Sequence, residues 1–562
     1  MSSHKDWPPR QAAVVIIGAG ISGICVAIEL LKNDIHDFLI FEEAGSPGGT
    51  WRDNMYPGCA CDTFSHLYSF SFEQNPDWTR LYPGQEEILK YLIGVVEKYD
   101  LYRYIRFNTA VEEARWDDAE KRWKTTVKVL ADGKNAESGE SYTTASDFLV
   151  SAVGQLNQPK YPSIPGLEDF KGKMMHSARW DWNYNLEGMR IAVIGNGATA
   201  VQIVPEVAKE ASHLTVFQRT PNWIVPRMDL AIPWPLRALF KYIPPTLWRV
   251  RADIMDLREA TFSFIKNPES RFSDFLRKIS TNMMKKQLPD RPDMWEKLTP
   301  NYPPGCKRVL PSDDYFRTLA QDNVSLQTKR IEKITGKGIR LEGGDEEEFD
   351  LIVLATGFRS LDFMHPIKVI GSDGRSLSDI WKDGARALYG VTVESIPNFS
   401  MLYGPNTNLG HNSIILMIEA QARYISVLVD AVLQARSQGK SLTIVPRPER
   451  VGEFNAELQA ALKSTAFAHP SCNSWYKTDE GLITNNWSGT VIDYQKLLSK
   501  ICWDDFDLSG KGAEGLASSK IIGRVVEETY LSYKTLGLTA VSVLAIAGGL
   551  AMKAPQRFPR LR

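Results

Sequence analysis

AAVVIIGAGISGICVAIELLKN, residues 12–33, decides the fold. Its first six residues are a β-branched apolar run without alternation, the pattern of a parallel strand covered on both faces. Gly18, Gly20 and Gly23 follow at once, and the apolar spacing then turns helical. Such glycines serve a tight turn, a close backbone approach to a pyrophosphate, and helix–strand contact. The free N–H groups of the helix start add a partial positive charge. DFLIFEE predicts the next strand, with Glu42 standing 24 residues after Gly18. A carboxylate there accepts hydrogen bonds from ribose hydroxyls and repels a 2′-phosphate, so this unit suits FAD or NAD.

The pattern recurs. MRIAVIG (189–195) predicts a strand, GNGATA (195–200) a turn and VQIVPEVAKEA (201–211) a helix. The turn and helix offer Gly195, Gly197, Thr199, Ala200 and Gln202 to a second nucleotide. The following strand ends at Arg219, again 24 residues from the first glycine. A guanidinium gives a phosphate two parallel hydrogen bonds and a fixed charge. This unit therefore suits NADPH, and FAD with NADPH in one chain points to hydride transfer onto a flavin.

These units set the domain plan: an α/β protein with two Rossmann-like dinucleotide-binding domains. The first part of the FAD domain spans 10–160, the NADPH domain 161–348, and the second part of the FAD domain 349–507. LVSAVGQ (149–155) and FDLIVLATGF (349–358) mark the crossings between them. A stretch at 233–297, rich in aromatics (Trp234, Phe240, Tyr242, Trp248, Phe262, Phe264), predicts a helical cap over a substrate cleft. A Gly/Ser-rich linker is expected at 508–534. The 18 uncharged residues 535–552 would reach about 27 Å as a helix, near the ~30 Å of a bilayer core. A single C-terminal hydrophobic helix as membrane anchor is expected there, with a basic tail at 553–562.

Composition excludes other classes. Hydrophobic residues make up 43% and charged residues 24% of 562, an ordinary globular balance. The net charge of −1 gives no electrostatic case for nucleic acid. Five bases and no acid follow Glu528, so that charge divides into −6 for residues 1–528 and a basic end. Six cysteines (Cys25, Cys59, Cys61, Cys306, Cys472, Cys502) are too sparse for a disulfide framework and suggest a reducing, intracellular compartment. No signal-peptide core precedes residue 12. The eight histidines form neither HxxxH nor HExxH, so no metal is expected.

FKGKMMHSARWD (170–181) matches FxGxxxHxxxW(P/D) through Phe170, Gly172, His176, Trp180 and Asp181. The chain thereby resembles the type I Baeyer–Villiger monooxygenases. Related N-hydroxylating and flavin-containing monooxygenases usually carry Phe or Tyr in place of Trp180. A second signature, (A/G)GxWxxxx(F/Y)P(G/M)xxxD, is matched by Gly49, Trp51, Tyr56, Pro57, Gly58 and Asp62. GCKR (305–308), YGPNTNLGHNS (403–413) and NSWYKTDEG (473–481) resemble most closely the hydroxyacetophenone monooxygenase branch.

The resemblance implies NADPH- and O2-dependent conversion of a ketone to an ester or lactone through a peroxyflavin. It implies that Arg308 stabilises the anionic oxygen, that Asp62 orients this arginine, and that Lys307 helps hold the NADP phosphate. Trp51 and Tyr56 would stand near the flavin and Tyr476 near the nicotinamide nucleotide, where relatives often carry Trp. His176 is assigned to coupling between the domains. The aromatic cap and the expected anchor suggest a lipophilic ketone, such as a terpenoid, steroid or polyketide of secondary metabolism. The rivals are an N- or S-oxygenating flavin monooxygenase and a membrane-tethered flavin-binding protein without activity.

Overall fold

A computed structural model describes residues 10–130 and 139–525. The uninterrupted apolar runs form strands buried along their length, because only a parallel sheet covered on both faces keeps them dry. Val14–Ile17 lies at the centre of a five-stranded parallel sheet. Phe148–Ser151 and then Phe399–Met401 lie on one side, Phe38–Phe41 and then Ile105–Arg106 on the other. Val14 is in register with both Phe38 and Phe148. The helix Ile21–Lys32 packs on this sheet against the 24-residue helix Ile414–Ser437.

The second parallel sheet repeats the plan around Arg190–Ile194. His213–Phe217 and Val324–Gln327 lie on one side, Leu351–Leu354 and Lys173–His176 on the other. This moves one expected boundary. Leu351–Leu354 belongs to the second sheet, so the chain returns to the first unit only after Ala355, not at residue 349. By contrast, Thr109–Asp117 and Arg122–Val129 alternate buried with accessible residues and pair antiparallel in a separate sheet. That is the mark of strands wet on one face.

The aromatic-rich insertion forms the helices Trp234–Tyr242, Pro244–Thr261 and Arg271–Gln287. Proline stands in the first turn of the first two, where its missing N–H costs nothing. The third is capped by the Ser270 hydroxyl, which accepts from Ser273 N–H at 3.2 Å.

The expected linker is not a separator over its first half. Phe506–Ser509 pairs antiparallel with Thr443–Pro446, and Ser519–Ile521 with Lys500–Cys502. Gly510, Gly512 and Gly515 lie between these short strands, while Ser509 and Ser519 belong to the strands themselves. The expected anchor at 535–552 and the basic tail lie outside the described residues; among the described residues no helix is long and apolar enough to cross a membrane. The cysteine reading also needs correction. Cys306 and Cys472, 166 residues apart, form a disulfide, a pairing that no local spacing could reveal.

Candidate active site

Both glycine turns open into one continuous cleft of about 3930 Å³. A pocket for one drug-sized ligand spans roughly 300–1,000 Å³, so this cleft is sized for several bound groups.

At the first turn the backbone is packed too closely for side chains. Gly18 takes φ +102°, and a Cβ there would lie 2.8 Å from the Ala152 carbonyl oxygen. A Cβ on Gly23 would lie 1.9 Å from the Gly18 oxygen. Gly20 and Gly49 meet backbone to backbone, a Cβ on Gly49 falling 2.9 Å from Gly20 Cα. Glu42 is buried beneath this turn, where its carboxylate accepts from Ala19 N–H at 2.7 Å and Ala44 N–H at 2.8 Å. Burial raises its pKa to about 7 against the pull of those two donors. Glu42 thus braces the turn as well as facing the cleft.

The second turn is built alike. Gly195 takes φ +120°, and a Cβ there would lie 2.4 Å from the Ala355 carbonyl oxygen. Gly197 faces open space, and Ala200 fits fully buried. Asn196 donates to Gln218 Oε1 at 3.0 Å and to the Thr220 carbonyl at 2.7 Å, tying the turn to the segment that carries Arg219. Lys307 joins Arg219 at the cleft wall. Burial and, second, the Arg219 charge bring the Lys307 ammonium down to about 8. Two neighbouring cations, neither paired with an acid among the described residues, suit a doubly charged phosphate. The residues present therefore fit a dinucleotide at each turn, with the charged phosphate at the second.

Between the turns, 246 residues apart in sequence, Arg308 meets Asp62. The contact is bidentate: Nη2 donates to Oδ1 at 2.6 Å and Nε to Oδ2. Arg308 Nη1 also donates to the Leu409 carbonyl at 3.2 Å. Burial pushes the Asp62 carboxyl up, but the charge and hydrogen bonds of Arg308 overcome it, so Asp62 stays below the ordinary carboxylate range. Burial likewise lowers Arg308, and Asp62 more than offsets it. Both groups are held ionised, facing the cleft.

The remaining candidates divide. Trp51 is buried against Tyr68, to whose hydroxyl its Nε1 donates at 3.1 Å, and it borders the cleft. Tyr56 borders the cleft too, but its hydroxyl donates to Gln202 Oε1 at 2.9 Å, while Gln202 Nε2 donates to the Ala60 carbonyl. Tyr56 and Gln202 therefore join the Asp62 loop to the second unit's helix. Thr199 lines the cleft near Tyr56. His176 is buried between the units: its Nδ1 accepts from Ala178 N–H at 3.1 Å, and its ring stands against Tyr161 and Phe358. Burial lowers its pKa to about 4, so it stays neutral.

Tyr476 departs from expectation. It is 0% exposed, packed edge-on against Phe467 in an apolar cluster, and does not line the cleft. Its neighbour Trp475, 43% exposed, does. The two are the central residues of a turn closed by Lys477 N–H donating to the Ser474 carbonyl at 3.3 Å, which sends one ring inward and the other to the cleft.

Sequence reasoning also missed Glu259. From the cap helix Pro244–Thr261 it accepts from Asn412 Nδ2 at 2.7 Å and from the Val491 and Ile492 N–H groups at 3.3 Å, with His411 Nε2 at 3.2 Å. It thereby pins the cap to the segment whose Leu409 carbonyl holds Arg308. An acid in a helical insertion carries no motif, and its partners His411 and Asn412 stand more than 150 residues away, so no sequence signal was available.

Residues 11–243 match the flavin-binding monooxygenase-like family. The chain is 53% identical to the FAD-binding monooxygenase ktnD of Aspergillus niger over 97% of its length and 89% of that relative's. It is 41% identical to a Baeyer–Villiger monooxygenase of Streptomyces coelicolor over 88% of this chain and 92% of that one. Among solved structures, the cyclohexanone monooxygenase of Rhodococcus sp. Phi1 bound to NADP+ superposes with a TM-score of 0.77 at 28% identity, covering 89% of this chain and 99% of that one. The chain belongs to the Baeyer–Villiger branch of the FAD- and NADP-dependent monooxygenases.

Proposed function

We propose that this protein inserts one oxygen atom of O2 beside a ketone carbonyl, giving an ester or lactone, with NADPH oxidised and the second oxygen released as water. One observation carries the reading: a bidentate Arg308–Asp62 pair faces the cleft between two dinucleotide turns of opposite charge preference. The two turns would hold FAD and NADPH, and the bound flavin would supply the electrons that activate dioxygen.

The chain's own residues do the rest. Arg308 offers a fixed positive charge to anionic oxygen in the cleft, an oxyanion-type role in which a preorganised donor is worth far more than in water. Asp62 aims the guanidinium and lets it stay charged at low cost, because an unpaired charge out of water is expensive. The Leu409 carbonyl fixes the third direction of the fork. Arg219 and Lys307 hold the NADP phosphate, while Glu42 serves the flavin side.

Arg308→Ala should leave flavin reduction by NADPH intact while ester formation falls by roughly 10²–10³-fold, the usual loss of an oxyanion donor. Stopped-flow reduction alongside chromatography of products checks this. Ketones left untouched while amines or sulfides are oxidised would overturn the reading. A lipophilic ketone of secondary metabolism is the proposed substrate class, for which a ketone panel is the assay; the aromatics of the insertion do not line the cleft. The 535–552 run would bring the enzyme to a membrane; fractionation with and without residues 535–562 decides that.

A further inference from the structure

The Cys306–Cys472 disulfide has no part in the functions assigned above. Cys306 lies two residues before Arg308, in a turn where Gly305 takes φ +92° and rests against the Phe264 ring of the cap. Cys472 opens a segment whose Asn473, Ser474, Trp475 and Lys477 line the cleft. The bond is dry: Cys306 is 0% exposed and Cys472 6%, packed with Trp223, Tyr302 and Val309.

The two pieces it joins are otherwise anchored very differently. The Arg308 guanidinium is held from outside by Asp62 and Leu409, and the strand after it by Leu310 N–H donating to the Trp223 carbonyl at 2.9 Å. The hydrogen bonds of the Cys472 segment run within itself. Cys472 N–H donates to the His469 carbonyl at 2.8 Å, Lys477 Nζ to the Cys472 carbonyl at 3.2 Å, and Thr478 N–H to the Leu482 carbonyl at 2.9 Å. Beyond the disulfide, the segment is held by the packing of the fully buried Tyr476 against Phe467 rather than by hydrogen bonds to the Arg308 turn. The disulfide ties that segment to the backbone that carries Lys307 and Arg308.

We propose that Cys306 and Cys472 are positioning residues for the reaction. Their disulfide clamps the cleft-lining segment onto the Lys307–Arg308 turn and sets how much of the NADPH consumed ends in oxygenated product. The inference rests on the assignment of Arg308 above. The clamp opens by exchange with a dithiol: the S–S bond breaks, each sulfur gains one electron and one proton, and the dithiol is oxidised to its own disulfide. Because Cys472 lies on the cleft wall beside the phosphate-binding cations, NADP+ should slow that exchange.

The test uses the full-length holoenzyme. It is treated with dithiothreitol, desalted and compared with untreated enzyme and with C306S/C472S, thiol state being read by iodoacetamide peptide mapping. Reduced enzyme should bind flavin and accept hydride at the untreated rate. Ester formed per NADPH should fall by roughly tenfold, the order that a sub-ångström displacement of a catalytic group costs, and the KM for NADPH should rise. Reoxidation should restore both. If C306S/C472S does not retain flavin, the reduced wild-type chain carries the test.

Alkylation of both cysteines in never-reduced enzyme would overturn the proposal, as would unchanged product yield in enzyme shown to be reduced. Loss of flavin on reduction of the wild type would make the bond a staple of the fold and overturn it equally. None of these touches the role of Arg308. That assignment fails separately, if untreated Arg308→Ala still makes ester.

Discussion

The two dinucleotide units are built to one plan and finished differently. Gly18 and Gly195 both take positive φ, and each presses against the carbonyl of an alanine that directly follows a neighbouring strand, Ala152 in one unit and Ala355 in the other. Two residues further on, Gly154 and Gly357 repeat the match at φ +71° and +83°. The difference lies in two places. Gly23 has no room for a methyl group, whereas its counterpart Ala200 carries one fully buried. Glu42 directly follows the second strand of the first unit, whereas Gln218 takes that place in the second and Arg219 comes one residue later, with Lys307 beside it. The two turns thus share a backbone geometry and differ in the charge that stands just beyond the second strand.

The comparison breaks hardest at Gly23. Gly23→Ala puts a Cβ 1.9 Å from the Gly18 oxygen, so the turn must shift. It should cost on the order of 3 kcal/mol and empty the flavin site, read by thermal unfolding and by flavin content after purification. Ala200→Gly, the reverse change, should cost only about 1 kcal/mol through helix propensity. Equal effects from the two would show that the units do not differ there. Arg219→Ala comes next: losing a charged hydrogen bond costs about 1.5–3 kcal/mol, or roughly a tenfold to hundredfold rise in KM for NADPH with KM for NADH little changed. A parallel rise for both nucleotides would remove the phosphate from its assigned seat.

Much of this was legible in the sequence because local chemistry encodes it. A glycine turn announces itself through residues that nothing else replaces, and an uninterrupted apolar run announces a doubly covered strand. Asp62 and Arg308 came through the motif match alone, since a contact across 246 residues leaves no local trace. The Cys306–Cys472 bond, the Glu259 brace and the membership of Leu351–Leu354 in the second sheet were hidden for that same reason. Trp475 was missed differently. Both aromatics stood in the matched run, but only the fold determines which of two neighbours faces the cleft.

Glu42→Gln sharpens the charge difference more gently. The amide keeps one acceptor and so leaves one of the Ala19 and Ala44 donors unsatisfied beneath the turn. A buried unpaired donor costs about 1–3 kcal/mol, which should appear as a lower unfolding temperature and faster flavin loss. An unchanged unfolding temperature would mean that Glu42 does not brace the turn.

Proton binding at Lys307 separates the two units most finely. Burial and the nearby Arg219 bring its pKa down to about 8, so the free enzyme loses this charge as pH rises through 8. A bound phosphate favours the ammonium and draws the proton back, so NADPH binding takes up a proton above that pH. The KM for NADPH should therefore climb on the alkaline side of about pH 8, by at most tenfold per pH unit, while flavin binding at the first turn stays level. Arg219→Gln removes the repelling charge that is the second cause of the shift, so it should move the inflection to higher pH even as it weakens binding overall. Lys307→Arg, which keeps its proton throughout, should flatten the climb; a KM profile that bends equally in that variant would take the titration away from Lys307.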